Sequence, residues 1–208
     1  MELFRNIRLK IGNTILNNKI AELKRKKYFS NLNEVKNIGI VWDASKTDDF
    51  LCLSRFFQKM HESKTDVKIM GYYPGKNLPN QYTAIRYLSV FKKDELNFFY
   101  HPVTKETLAF INNHFDILID LNFNKLLPLQ YISSLSNARF KVGLFEPETV
   151  NTPFDLMMEI KNTVNIENYL DQVIHYLGMI NSGSVQKVVN NKGYEKIQRD
   201  RSCHCNTF

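Results

Sequence analysis

The feature that most constrains the fold of this chain is a rhythm of short, unbroken apolar runs separated by stretches of helical periodicity. Ile38-Gly39-Ile40-Val41-Trp42 leads into Asp43 and a polar loop. A strand with one wet face would alternate apolar and polar residues, so this run predicts a strand covered on both sides. Residues 48–64 then place Phe50, Leu53, Phe56, Phe57 and Met60 on one side of a helix. Residues 67–73 predict a second strand, stopped by the turn signal Pro74-Gly75. A short strand over 87–91 and an extended piece at 98–100 follow. The alternation continues with a helix at 104–114, a strand at 115–121, and a helix at 126–136 that tolerates Pro128 in its first turn, where a missing amide costs little. Strands at 140–145 and 154–160 precede a last helix at 166–181, marked by Ile166, Leu170, Val173, Leu177 and Ile180. Strands alternating with helices of this length imply βαβ crossovers. The expected fold class is therefore α/β, a single Rossmann-like three-layer domain with a mainly parallel sheet, preceded by a basic N-terminal helix.

That helix is read from residues 3–27, where Phe4, Ile7, Ile11, Ile15, Ile20 and Leu23 recur at spacings of three to five, with a break expected near Gly12-Asn13. It closes on Lys24-Arg25-Lys26-Lys27, cations that complement the negative end of a helix dipole. Charge is sorted by position. Residues 1–36 hold nine Lys/Arg against three Glu, and residues 183–208 hold five against two, while the stretch between them is slightly acidic. The expected organisation is a basic amphipathic helical extension at 1–36, a Rossmann-like domain at 37–182 and a flexible basic tail at 183–208, whose few large apolar residues cannot offset its ordering entropy.

A chain of 208 residues with 43% hydrophobic content suits one domain of about 150 residues plus extensions. Three cysteines, Cys52, Cys203 and Cys205, form no framework, which predicts a reducing compartment and so the cytoplasm. No apolar stretch approaches the ~20 residues of a transmembrane helix. The basic start Arg5, Arg8 and Lys10 is interleaved with Phe4, Ile7, Leu9 and Ile11, unlike a secretory h-region.

In open α/β sheets ligands bind outside the carboxyl ends of the strands. Those positions supply Asp43, Ser45, Lys46 and Thr47 after the first strand, Asp120 and Asn122 after Leu118-Ile119, and Glu146 near the end of the 140–145 strand. A phosphate cradle at the first turn needs glycines, and Asp43-Ala44-Ser45-Lys46-Thr47-Asp48-Asp49 has none. The acidic pair at its end is expected to cap the next helix, with Ser45, Lys46 and Thr47 as a weaker nucleotide-binding set. Asp43, Asp120 and Glu146 are candidate acid, base or metal-ligand residues. Cys203-His204-Cys205 cannot close a tetrahedral zinc site alone, and no Walker loop, G-x-G-x-x-G or H-E-x-x-H is present. No metal and no cofactor are expected.

Residues 115–145, with Asp116, Ile119, Asp120 and Leu121 in one strand and Ala138 and Gly143 around the next, resemble the strand–helix–strand of the N-terminal half of heptosyltransferase-like glycosyltransferases. That resemblance implies a sugar- or nucleotide-binding half domain, with Asp43 at the position of the acid-bearing loop. Across its body the chain resembles an uncharacterised bacterial family of domains of unknown function, through its basic helix and its IGIVWDAS, FDILIDLNF and FKVGLF strands.

The leading functional expectation is a cytoplasmic, non-catalytic protein docking on a polyanion. Structured RNA or a ribonucleoprotein would be held through Arg5, Arg8, Lys10, Lys19, Lys24, Arg25, Lys26 and Lys27, with Tyr28 and Phe29 available to stack on bases. The alternative is a small enzyme with its carboxylates on the strand-end rim. A peripheral contact with an anionic membrane, or a protein partner on the N-terminal helix, are further readings of the same basic, amphipathic segment.

Overall fold

A computed structural model describes residues 2–28, 32–145, 147, 152–159 and 165–180. Six strands, β1 (Asn37–Asp43), β2 (Asp66–Tyr73), β3 (Leu88–Lys92), β4 (Ile117–Leu121), β5 (Phe140–Leu144) and β6 (Leu156–Met158), form one sheet in the order β3-β2-β1-β4-β5-β6. Every pairing is parallel. The fold is the Rossmann-like α/β sandwich expected, with its topological switch between β1 and β4, where the winding reverses.

Helices cover both faces. On one side, α2 (Phe50–Glu62) and α5 (Ile166–Met179) bury Leu53, Phe56, Tyr169 and Val173 against Ile38, Ile40, Trp42, Ile117 and Ile119. On the other, α1 (Glu2–Glu22), α3 (Lys105–Asn112) and α4 (Leu127–Leu135) pack Leu16, Phe110, Leu129 and Ile132 against Val41, Met70 and Leu118. Successive residues of a strand point to opposite faces, so the run Ile38 to Trp42 feeds both cores. All five residues of β4 are buried for the same reason.

The crossover from β2 to β3 has no α-helix. Between β2 and β3 a short 3-10 turn, Asn80–Tyr82, inserts the buried Tyr82 edge-on against Trp42 and Phe50, at centroid distances of 5.5 and 5.4 Å. The Tyr82 hydroxyl donates to the Ala44 carbonyl at 3.0 Å. A ring with a polar tip thereby closes the core where a helix would normally lie.

The N-terminal helix is continuous through Gly12 and packs against α4. The break expected at Gly12-Asn13 is absent, and the glycine serves close approach: a Cβ at Gly12 would sit 2.5 Å from the Phe99 carbonyl oxygen. Leu16 is buried in the core beneath it. The extended piece expected at 98–100 is instead a turn, with Tyr100 at φ 64° and the Asn97 carboxamide oxygen accepting from the Phe99 and His101 amides. Among the described residues no helix is long and apolar enough to cross a membrane.

Candidate functional site

The loop after β1 is bonded to itself and to β2. The Ala44 amide donates to the Tyr72 carbonyl at 3.0 Å, the Lys46 amide to the Asp43 carbonyl at 3.1 Å, and the Ser45 amide and hydroxyl to the Asp43 carboxylate at 3.1 and 2.6 Å. Amides that would cradle a phosphate are thus already engaged, and the exposed Ser45, Lys46 and Thr47 line no cavity among those described. The expected Asp48-Asp49 cap is not formed. Asp49 lies in the helical region at φ −71° with no side-chain cap bond, because a 3-10 turn, Thr47–Asp49, leads into α2 and the Phe50 amide is satisfied by Thr47.

At the end of β4, Asp120 accepts from the Asn122 amide at 2.6 Å. Asn122 ties the following loop, its oxygen accepting from the Leu126 amide at 2.8 Å and its nitrogen donating to the Leu126 carbonyl at 3.0 Å. Lys125 is held at φ 53° within that loop. Val41 pairs with Asp120 in register, so Asp43 lies one pleat further along the same face of the neighbouring strand. Asn124 donates to Asp43 at 2.7 Å, latching the β1 and β4 loops together across the switch point. Both aspartates are buried, and Asp120 lines a cavity. Glu146 and Cys203-His204-Cys205 lie outside the described residues. Among the described residues no three His, Cys, Asp or Glu side chains are grouped to hold a metal ion.

The cavity, of about 220 Å³, lies between α1, α4, the C-terminal ends of β4 and β5, and β6 with the segment leading into it. Asn13, Leu16 and Asn17 come from α1, Asp120 from β4, Ser133 from α4 and Phe154 from the segment before β6. Behind this wall sits Lys141, 1% exposed, its ammonium donating to the Ser134 carbonyl at 2.8 Å. Burial, reinforced by the charge of Arg25, pushes the Lys141 amine down to about 7. Nothing in the sequence separates Lys141 from a surface lysine except its place in a strand otherwise made of apolar residues and glycine.

The basic N-terminal segment divides into two groups. Arg8, Lys19 and Arg25 dock the segment on the body. Arg8 donates to the Phe98 carbonyl at 2.7 Å with its guanidinium over the Phe98 and Tyr100 rings, and Lys19 donates to the Tyr131 hydroxyl at 2.7 Å. Arg25 makes a buried two-pronged pair with Asp155, both contacts 2.7 Å, and also donates to the Ala138 and Arg139 carbonyls. Burial alone would raise the Asp155 carboxyl, but hydrogen bonds and charge from Arg25 hold it below its ordinary value of 3.8. Lys27 reaches the same carboxylate at 3.2 Å while largely exposed. His101 adds a further tie, its Nε2 lying 3.0 Å from the Gly12 carbonyl. Burial pushes the His101 imidazole below 6.5, leaving a neutral ring that donates from Nε2 at neutral pH.

The second group is exposed. Arg5, Lys10, Lys24 and Lys26 make no ion pair among the described residues. Lys24 and Lys26 border a groove of about 540 Å³ together with Arg25, Tyr28, His114, Asn137 and Arg139. His114 and Arg139 precede β4 and β5, so this groove lies at the opposite end of the sheet from the cavity. Arg139 also pairs with Asp116 at 3.0 Å.

A model of a family of unknown function, DUF6913, matches residues 8–180. The chain belongs to that family. The DUF6913 match takes in α1 from Arg8 onward together with all six strands and α5, so the docked helix and the sheet fall within one family region. No curated protein and no solved structure gives a significant match to this DUF6913 chain. The comparisons show no similarity to a glycosyltransferase.

Proposed function

We propose that the protein binds structured RNA or a ribonucleoprotein in the cytoplasm through the groove bordered by Lys24, Lys26 and Arg139, without catalysis. The observation that supports this reading is the convergence on one groove of lysines and arginines from two separate segments, around the exposed ring of Tyr28, with no carboxylate among the described lining residues. Clustered cations release counterions from phosphates, and an exposed ring stacks on unpaired bases. Arg8, Lys19 and Arg25 serve indirectly, by fixing α1 so that Lys24 and Lys26 face Arg139. The test is a salt titration of binding to a fluorescent stem-loop RNA. Replacing Lys24, Lys26 and Arg139 with alanine is expected to flatten the log–log salt slope by about 2 units, at roughly 0.7–0.9 per phosphate contact; an unchanged slope removes the basis of the reading.

A protein partner is favoured by a separate observation. The first half of α1 leaves Leu3, Phe4, Ile7 and Ile11 exposed in one stripe, with Phe98 exposed nearby. Spacings of three and four place these side chains on one helix face, as a helix seated on another protein requires. Changing Phe4 and Ile7 to serine is expected to abolish co-purification of such a partner while leaving RNA binding intact; retention of the partner by this variant excludes the stripe.

A further inference from the structure

The outer face of α1 is more specific chemically than its apolar residues alone. Leu3, Phe4, Ile7 and Ile11 are 72%, 74%, 46% and 42% exposed and run along its first turns. We infer that the element seated there is an amphipathic helix of a protein partner, with carboxylates flanking its own apolar stripe. This rests on the protein-partner reading of the α1 stripe and names the chemistry of the partner.

Charge supplies the first argument. Helical spacing puts Lys10 on one flank of the stripe and Arg8 on the other, each about a quarter turn from its centre. Between Glu2 and Glu22 the helix has no carboxylate, so neither cation is paired within its own element. Lys10 is exposed and makes no ion pair among the described residues. Arg8 is held ready. Its Nε donates to the Phe98 carbonyl at 2.7 Å, and its guanidinium carbon lies 4.2 and 4.5 Å from the Phe98 and Tyr100 ring centroids. Its terminal Nη atoms have no hydrogen-bond partner among the described residues. A guanidinium fixed by one bond and two rings, with those donors unused, suits a carboxylate.

Length and shape supply the second. The same face continues through Thr14, Asn18 and Ala21, and the Thr14 hydroxyl donates to the Lys10 carbonyl at 3.0 Å, so the apolar stripe ends after Ile11. From Leu3 to Ile11 the helix rises about 12 Å, a length that two to three turns of a partner helix would cover. The Phe98 ring, 62% exposed, stands beside Arg8 and widens the apolar surface on that flank. Two other occupants fit less well. A helix lying on a bilayer buries an apolar face along its length, whereas this one turns polar after Ile11. A second copy of the chain would bring a second Arg8 and Lys10 to the same interface, where like charges repel.

The test is fluorescence anisotropy on the full chain with two labelled, stapled helical peptides of about 16 residues. Both carry one leucine stripe, flanked by glutamates in the first and by lysines in the second. The glutamate peptide is expected to bind at least about tenfold more tightly, as several surface charge pairs together allow. Lys10→Glu is expected to narrow that preference about threefold or more by weakening the glutamate peptide and strengthening the lysine peptide. Phe4→Ser with Ile7→Ser is expected to abolish binding of both peptides while melting like the parent, since these side chains are exposed. No binding of the glutamate peptide, equal binding of the two peptides, or binding that survives in the double serine variant overturns the inference. A dimer in sedimentation that the same variant abolishes would assign the stripe to a second copy. Co-sedimentation with phosphatidylserine vesicles lost in that variant would assign it to a membrane, and either result also overturns the inference. The protein-partner reading falls separately, if the native partner is retained by the double serine variant.

Discussion

The two ends of the sheet have opposite chemistry, and one helix helps to build both. Before β4 and β5 the surface gathers Lys24, Lys26, His114 and Arg139 around Tyr28. Toward the far ends of β4 and β5 it gathers amides and Asp120 beside Asn13 and Asn17. The α1 helix gives its middle to the cavity, and the segment that follows it gives Lys24 and Lys26 to the groove. The contrast teaches that a run of basic residues is not one functional unit. Arg8, Lys19 and Arg25 spend their charge on docking, and the exposed lysines beside them acquire their position from it.

That division can be broken most severely at the buried pair. Asp155→Ala removes the partner of Arg25 at a site where both side chains are 7% exposed. Leaving a buried charge unpaired typically costs about 3–5 kcal/mol, so urea unfolding should show a loss of that size. Both ends should be weakened together. The pair also has a pH signature. The folded Asp155 carboxyl lies below its unfolded value of 3.8, so its stabilisation is present above that value and is lost as pH falls through the folded value.

A smaller effect is expected at Gly12. Gly12→Ala gains helix propensity but drives a Cβ to within 2.5 Å of the Phe99 carbonyl oxygen. Overpacking of this kind costs roughly 1–3 kcal/mol, and the loss should appear as a lowered melting temperature with faster hydrogen exchange in α1. Full parental stability would show that α1 docks more loosely than this contact implies.

Lys141 supplies a graded test. Its folded amine titrates at about 7 against 10.5 unfolded, so between these values the unfolded chain binds more protons and stability should rise with pH. The slope is bounded by about 1.4 kcal/mol per pH unit. Lys141→Met should flatten it, as measured by urea midpoints from pH 7 to pH 10. The smallest effect is expected of Ser133→Ala, which removes a hydroxyl with no partner among the described residues and should leave the melting temperature unchanged or slightly raised.

Much of the scaffold was legible in the sequence, because short unbroken apolar runs such as Ile38 to Trp42, bounded by polar loops, favour strands buried on both sides. The final helix was legible from the spacing of Ile166, Leu170, Val173 and Leu177. The β2–β3 crossover was less so, since Tyr82 replaces a helix with one side chain and leaves no periodicity to read. Gly12 looked like a helix breaker because a close approach to residue 99 has no local signature. Asp120 could be placed at a strand end, but Ser133 and Lys141 look like surface residues in the sequence. Their burial follows from the pairing of Leu118 with Lys141 and from the seating of α1, both long-range events. The groove was half legible: Lys24 to Lys27 form a visible cluster, while His114 and Arg139 join it only through the parallel register.

The most direct measurement is RNA affinity in two charge-matched variants, by fluorescence anisotropy at fixed moderate salt. Lys24→Gln with Lys26→Gln, and Arg5→Gln with Lys10→Gln, each remove two exposed positive charges from the same basic segment. If the groove carries binding, the first pair weakens affinity by about tenfold or more and the second by less than about threefold, as expected when only direct phosphate contacts are lost. Equal losses in the two variants would mean that the protein attracts RNA by bulk charge alone, contradicting the assignment of the groove.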